Sequence, residues 1–364
     1  MRTTLPVHPQ PIPGELFSSW VYRAARANGQ NVTSFCHLLL PELKKRYYDL
    51  DSAVNKEALL KLCQLLRTPY QRAWETTLDS YAGLLYASVT PKANRKACVL
   101  HTGIAENIFK RFSLQYCPLC LGEKVSYYRK VWRVSFITVC TKHGCKLHDR
   151  CPKCHYPIRP LFNDVSQPRK MPFLGTITQC FYCGFELCDT TVEMAIQSVV
   201  TDTVFYESVL KAGFCRLDTS VNWVYSFSLF CVLRHLIYLL RPKHCRQKSP
   251  DVMSLKDRYF AMRRLGGAFG NWPGRLIELH HKAGIKYYHW TNMTKNKHPI
   301  PYWLDSAIRP KIYIPKTGPT RESVYSAIEY MREKKRRISL LQVNKLLGYQ
   351  DSGLVKKFYK EIIE

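Results

Sequence analysis

Acidic side chains and long apolar runs are both scarce in this chain. Asp and Glu number 27 against 55 Lys and Arg in 364 residues, a formal net charge of +28. That exceeds what solubility requires and points to a polyanionic partner, nucleic acid first. The carboxylates show no spacing of a nuclease or transposase set. No glycine-rich phosphate loop or nucleophile elbow is present. The chain therefore reads as a protein that is not an enzyme. Its longest apolar stretch, 221–240, is interrupted by Ser226, Ser228, Arg234 and His235. A charge near the middle of a span is costly, so this stretch predicts a buried core helix and no membrane association. Pro6, Pro9, Pro11 and Pro13 stand where a signal peptide would need an apolar region, so a cytoplasmic location is expected.

Cysteine, by contrast, is plentiful, with fifteen residues. In a reducing compartment paired cysteines are metal ligands before they are disulfides. The positive charge is uneven: residues 241–364 carry 26 basic and 10 acidic side chains, which is +16 of the total. A solvated basic surface is the plain alternative to a polyanion site.

The predicted fold is mainly α with small zinc-ribbon modules. Residues 1–116 form an N-terminal helical, helix-turn-helix-like domain. Residues 117–190 form tandem zinc ribbons, 191–311 a helical domain, and 312–364 a basic C-terminal helix-turn-helix. In the first segment helices are expected at 15–28, with Phe17, Trp20, Val21 and Ala24 on one face, then at 33–40 before Pro41. A third follows the cap Asn55, with Leu59, Leu62, Cys63 and Leu66 at helical spacing, and a fourth spans 70–81. Between 117 and 190 the helical pattern gives way to Cys, His, Pro and Gly, with a strand-like run at 131–139. Helices return at 192–210, 223–240, 254–265 and 275–283, and 291–319 reads as a linker.

The strongest signal is four ligand pairs in order: Cys117 with Cys120, Cys140 with His143, Cys151 with Cys154, and Cys180 with Cys183. Two residues between ligands let one tight turn aim both donors at one ion, and four donors close a tetrahedral structural zinc. Nineteen residues, 121–139, and twenty-five, 155–179, separate the knuckles within each presumed site. Two structural Zn2+ ions are expected. Crossed pairing of the four knuckles stays open, and Cys145, His148, His155 and Cys188 are near enough to be alternative ligands. Thioredoxin-like chemistry lacks its βαβ context. An HNH-type nuclease would need a second metal site beside His143 or His148. Cys36, Cys63, Cys98, Cys215, Cys231 and Cys245 read as core residues.

These residues bring a family into view. Pro13-Gly14-Glu15-Leu16-Phe17-Ser18-Ser19-Trp20-Val21-Tyr22-Arg23-Ala24-Ala25 with Asn28-Gly29 resembles the opening of TniQ-family proteins. Tyr116-Cys117-Pro118-Leu119-Cys120, Trp132, Cys140-Thr141-Lys142-His143-Gly144 and Leu147-x-x-Arg150-Cys151-Pro152-x-Cys154 resemble its paired zinc knuckles. Phe269-Gly270-Asn271-Trp272-Pro273 resembles a further signature; Cys145 after Gly144 is a departure. The resemblance implies a target-selection adaptor of a heteromeric bacterial transposon that links a target-recognising element to an AAA+ regulator of the TnsC type. In one branch an RNA-guided Cascade complex reads the target and a TniQ homodimer docks on it. In the other, a TnsD-like protein recognises the insertion site itself.

The last segment can be read independently. Val324, Ala327, Ile328 and Met331 form a helical stripe ended by Lys334, Lys335, Arg336 and Arg337. Ser339 can cap a second helix carrying Leu340, Val343, Leu346 and Leu347, with Lys345 among them. A third helix should turn Leu354, Val355 and Phe358 inward and Lys356, Lys357 and Lys360 outward. Only Gln350, Asp351 and Ser352 at its start offer base-reading groups, so DNA contact is expected to be mostly non-specific. With few base readers, the RNA-guided branch is the favoured one. Docking on protein or RNA is the alternative for this segment.

Overall fold

The computed structural model describes residues 4–39, 49–52, 54–87, 96–102, 112–162, 175–218, 223–245, 248–295, 299–313, 318–350 and 352–364. The expected positions Leu40, Pro41 and Asp351 lie outside them. The chain is mainly helical and divides into two compact units, 1–311 and 312–364. No described helix is long and apolar enough to cross a membrane.

In the first unit, α1 (Phe17–Ala27) starts two residues later than its apolar pattern suggests. The cause is Glu15, which is fully buried and not helical. Its carboxylate accepts from Ile12 N–H (3.0 Å), Ser19 Oγ (3.0 Å), Arg23 Nε (2.8 Å) and Arg23 Nη2 (2.7 Å). Trp20 Nε1 donates to Pro9 O at 2.8 Å, so the proline-rich lead is fastened over the same helix. Burial is not confined to the one predicted face. Ser18, Ser19, Tyr22 and Ala25 are buried as well, because packing surrounds α1 on most sides.

α2 (Val32–Leu39) follows, and α3 (Lys56–Leu65) begins at Asn55, whose side chain accepts the Glu57 N–H as expected. The helix predicted over 70–81 is instead α4 (Tyr70–Trp74) and a separate 3-10 turn at Leu78–Tyr81. Thr76 and Thr77 cause the break: their hydroxyls donate to Ala73 O (2.6 Å) and Trp74 O (2.8 Å), the local bonding by which Thr competes with helix continuation. A short α5 (Pro118–Leu121) opens the cysteine-rich region. The run 131–139 is not a continuous strand. It holds a 3-10 turn (Lys130–Arg133), and only its end enters β1 (Val139–Cys140), which pairs antiparallel with β2 (Cys145–Lys146). Gln115 Nε2, rather than a neighbouring strand, takes the carbonyls of Trp132 (2.6 Å) and Ile137 (3.0 Å).

α6 (Gln197–Ala212) starts five residues after the predicted 192. The intervening backbone is spent on the hairpin: Lys146 N–H donates to Glu193 O (2.7 Å) and Ala195 N–H to Gly144 O (2.9 Å). β3 (Phe214–Cys215) and β4 (Val224–Tyr225) then form a second two-stranded pair. The apolar stretch is the buried helix α7 (Ser226–Leu240), with Leu229, Phe230, Leu233, Leu236 and Ile237 in the core. Its interrupting charge, Arg234, is paired with buried Asp251 at 2.8 Å. α8 (Leu255–Leu265) is capped by Ser254, and α9 (Gly274–Ala283) matches the last helix expected before the linker. The linker itself is contradicted. α10 (Tyr287–Lys295) and α11 (Tyr302–Ile312) occupy most of it, because Trp290, Leu304 and Ile308 are buried and Trp303 Nε1 donates to Ser228 Oγ of α7 at 2.8 Å. Their Pro, Lys and Asn neighbours masked these anchors.

The second unit is α12 (Arg321–Glu333), α13 (Leu340–Leu346) and α14 (Gly353–Ile363) around Val324, Ala327, Ile328, Met331, Val343 and Val355. Ser339 caps α13 as expected. Leu346 and Leu354, expected to face inward, are 46% and 48% exposed. Val343 and Val355 close the core from α13 and α14, with Leu340, Leu347 and the expected Phe358 packed against it from partly buried positions. Residues 347–352 separate α13 from α14, a longer turn than the three or four residues usual in a helix-turn-helix.

Two predictions follow from buried polar groups. Glu15→Ala removes the acceptor that neutralises Arg23 inside the fold, and breaking a buried pair costs about 3–5 kcal/mol; the denaturant midpoint should fall accordingly, and an unchanged midpoint would refute the anchoring role. The second concerns Trp290, packed between two imidazoles, with His235 at 5.3 Å and His280 at 5.5 Å between ring centroids. Trp290 Nε1 donates to His280 Nε2 at 2.8 Å, so His280 Nδ1 carries the proton and donates to Leu276 O at 2.6 Å. Burial pushes His235 down to about 4 and His280 below its usual range. His235 is neutral in the fold and takes up a proton in the unfolded chain below about 6.5. Its contribution is therefore fully present above that pH and is lost as pH falls toward about 4, and His280 is shifted in the same direction. Chemical denaturation across this window should show stability falling with acid, with a shallower slope in His235→Gln.

Candidate metal centres

The four knuckles converge in sequential pairs. Cys117, Cys120, Cys140 and His143 bring their donor atoms within 4.8 Å of one another, and so do Cys151, Cys154, Cys180 and Cys183. Sequential pairing is what the fold builds, and the crossed alternative is excluded. All eight predicted ligands fall in these two groups.

Local backbone chemistry explains each turn. Cys117 precedes α5, where Pro118 fits the first helical position, so Cys120 comes back toward Cys117 after a single turn. The other three knuckles share one device: the residue after the second ligand adopts positive φ and donates its N–H back to the first ligand's carbonyl. Gly144 does so to Cys140 (2.8 Å), His155 to Cys151 (2.9 Å) and Gly184 to Cys180 (2.9 Å). Glycine meets this need without strain at 144 and 184, whereas His155 holds a φ of 62°. Backbone N–H groups of Tyr156 and Phe185 also reach the thiols of Cys154 and Cys183.

The spacing fits zinc. In the first centre Cys120 Sγ lies 3.6 Å from Cys140 Sγ, and His143 Nδ1 lies 3.5, 3.3 and 3.7 Å from the sulfurs of Cys117, Cys120 and Cys140. In the second, Cys151–Cys183 and Cys154–Cys180 are each 3.6 Å apart. A tetrahedron with Zn–S near 2.3 Å has edges of about 3.8 Å. Disulfide sulfurs would sit at about 2.05 Å, and all fifteen cysteines are unbridged. Within the first cluster the sulfurs share hydrogen bonds that draw the Cys117 thiol down to about 7 and Cys140 far lower while pushing Cys120 and Cys145 up, so the negative charge is concentrated on part of the set. Thiolate character is what a metal ligand requires. With four protein donors each, both centres are compatible with closed structural zinc sites that hold turns together.

One donor lies beside the first four. Cys145 is fully buried, stands opposite Cys140 in the β1–β2 ladder, and places its Sγ 3.5 Å from that of Cys117. The other alternative ligands lie elsewhere. His148 packs on Tyr116 with ring centroids 5.4 Å apart, Cys188 faces Glu186, and His155 is exposed in its turn. Sequence reasoning missed a third group, His244, Cys245 and Asp257, whose donors also lie within 4.8 Å. The signal available was the His-Cys dipeptide, but Asp257 joins it only through the fold.

The residues expected to meet nucleic acid or a partner lie in the second unit. Arg336 and Arg337 follow α12, Lys345 is on α13, Gln350 precedes α14, and Lys356, Lys357 and Lys360 are on α14; all are exposed. Lys357 Nζ is 3.9 Å from Glu361. Ser352 is half-buried, and its hydroxyl accepts the Val355 N–H at 3.3 Å as the cap of α14.

The family model described as TniQ matches residues 6–147, a span that holds Glu15, Arg23 and the whole first metal centre. No curated protein matches the chain.

Elemental analysis of the purified chain should count at least two zinc ions, one for each four-ligand centre. Cys117→Ser and Cys151→Ser should each lose one and loosen the surrounding turns, because structural zinc contributes folding free energy directly; unchanged metal in both variants would refute the two-centre assignment. His143→Ala alone should retain both ions, with Cys145 taking the vacated place, while His143→Ala combined with Cys145→Ser should lose one.

Proposed function

We propose that this chain, whose residues 6–147 match the TniQ family model, is a non-catalytic target-selection adaptor in the transposition of a heteromeric bacterial transposon. In this reading it couples an RNA-guided Cascade complex to an AAA+ regulator of the TnsC type, which recruits the transposase. The family match over 6–147 carries the transposon assignment. The donor sets support a non-catalytic role: each centre fits an ion with four protein ligands and leaves no position for substrate or activated water.

The RNA-guided branch draws its support from the second unit. We read α13 and α14 as a helix-turn-helix whose outer face carries Lys356, Lys357 and Lys360. Lysines on phosphates position a protein without reading sequence. Of the base-reading candidates, Ser352 is occupied as a helix cap, leaving Gln350 as the one whose side chain is described and exposed. Such a face supports mostly non-specific DNA contact made by a protein that is brought to its target by another component. By the same family reading, the adaptor acts as a homodimer in the cytoplasm.

The deciding experiment is affinity purification of the full chain from its host after nuclease treatment, with the retained nucleic acid sequenced. A guide-length RNA of uniform size, copurifying with Cascade proteins, is the expected result. A unique DNA fragment without RNA would overturn the adaptor reading in favour of a TnsD-like protein that recognises the site itself. For DNA contact, Lys356→Ala, Lys357→Ala and Lys360→Ala combined should flatten the salt dependence of binding by up to about three ion equivalents, since each neutralised phosphate contributes roughly 0.9 to the log–log slope. An unchanged slope would place the DNA-facing surface elsewhere.

A further inference from the structure

Away from both four-ligand centres, the turn that follows α7 meets the first turn of α8. His244 and Cys245 sit on a 3-10 turn (Lys243–Cys245), and Asp257 is in the first turn of α8. We propose that His244, Cys245 and Asp257 form a third metal site for a divalent ion of the zinc class, with three protein ligands and an outward position for water.

Three observations carry this. The donor set is one imidazole, one thiol and one carboxylate, all within 4.8 Å of one another, a combination suited to a borderline-soft ion. The carboxylate is oriented from behind: Ser254 Oγ donates to Asp257 Oδ2 at 2.7 Å, while Oδ1 is turned to His244 Nε2 at 2.8 Å. This is the outer-shell arrangement that fixes a ligand's direction in metal sites. The backbone that carries the thiol is fixed as well. Cys245 is fully buried, its N–H donates to Pro242 O (2.9 Å), and its carbonyl accepts from Arg241 Nε (2.9 Å) and Lys248 N–H (2.9 Å).

The side-chain exposures, 67% for His244 and 13% for Asp257, put the opening on the solvent side. An arriving ion accepts lone pairs from Nε2, the thiolate and Oδ1. The thiol proton passes to water, and the Nε2 hydrogen facing Asp257 is given up as the His244 ring takes its Nδ1–H form. The ion's two charges are then balanced by thiolate and carboxylate, and the site pins the end of α7 to the start of α8. The same contacts without a metal amount to a His–Asp hydrogen bond at a helix cap, which the following experiment tells apart.

The full chain, with both four-ligand centres filled by zinc, is titrated with Co2+ and read by the thiolate-to-cobalt absorption band and by bound metal after desalting. One further equivalent with that band is expected. It should be lost in His244→Ala, a change at an exposed side chain that leaves the core intact, and in Cys245→Ser. Ser254→Ala should weaken it by about 10–100-fold. Absence of the further equivalent, or its persistence unchanged in His244→Ala, would overturn the site.

Discussion

The convergence of Cys117 and Cys120 with Cys140 and His143 on one point is the constraint around which the first unit is organised. The two knuckles come from turns that hold no shape by themselves: α5 is a single helical turn, and β1 and β2 are two residues each. An ion on these four donors would supply on the order of 10 kcal/mol of folding free energy, comparable with the entire net stability of roughly 5–15 kcal/mol typical of a domain. The outer edge of the clasped hairpin then receives 193–195 and so sets where α6 begins, and Thr141 Oγ1 donates to Glu207 of α6 at 3.0 Å. A small coordination shell thereby positions a sixteen-residue helix.

Arginines that are buried (Arg133, Arg258) or half-buried (Arg234) extend that order outward. Arg258 of α8 is fully buried and donates to Ser135 O (2.8 Å) and Gln115 Oε1 (3.1 Å), while Gln115 holds two carbonyls of the segment leading into β1. Arg133 is tied to Asp51 at 2.7 Å and Asp49 at 3.0 Å, and Arg234 to Asp251, which also accepts from Ser135 at 3.0 Å. Each guanidinium meets several acceptors in fixed directions, which suits Arg to such buried junctions. Part of the chain's positive charge is therefore structural and internal. The surplus that remains outside includes the exposed cations of α13, α14 and the turn after α12.

What the sequence disclosed followed the range of the physics involved. Ligand pairs two residues apart, caps such as Asn55 and Ser339, and the apolar stripe of α7 depend on neighbours in the chain, and the fold agrees with them. What escaped depended on distant partners. The break at Thr76 and Thr77 reflects side-chain bonding that periodicity does not register. The false linker hid α10 and α11 because their stability comes from Trp290 and Trp303 meeting other helices. Asp257 joins His244 and Cys245 only because α7 and α8 pack together. Even the Glu15 motif was legible as a family likeness before its physical reason, a buried carboxylate saturated by Arg23, Ser19 and Ile12, was visible.

The span of the family match also differs from the span of the folding unit. The TniQ match ends at residue 147, directly after β2, yet the backbone of β2 is completed from outside it: Lys146 N–H is satisfied by Glu193 O, and Cys145 bridges to Met194. A chain cut at 147 would leave that edge unpaired beside the first centre and would strip Arg258 from Gln115. Unpaired buried backbone groups and exposed strand edges are costly, and they invite aggregation. The matched segment therefore supplies the first metal centre and its α1 anchor, while 148–311 supplies the surface against which both become stable. The second four-ligand cluster belongs to this supporting part, and hydrogen bonds tie its surroundings to the matched segment: Tyr128 Oη donates to Ile177 O at 3.2 Å and Tyr116 Oη meets Thr190 Oγ1 at 2.9 Å.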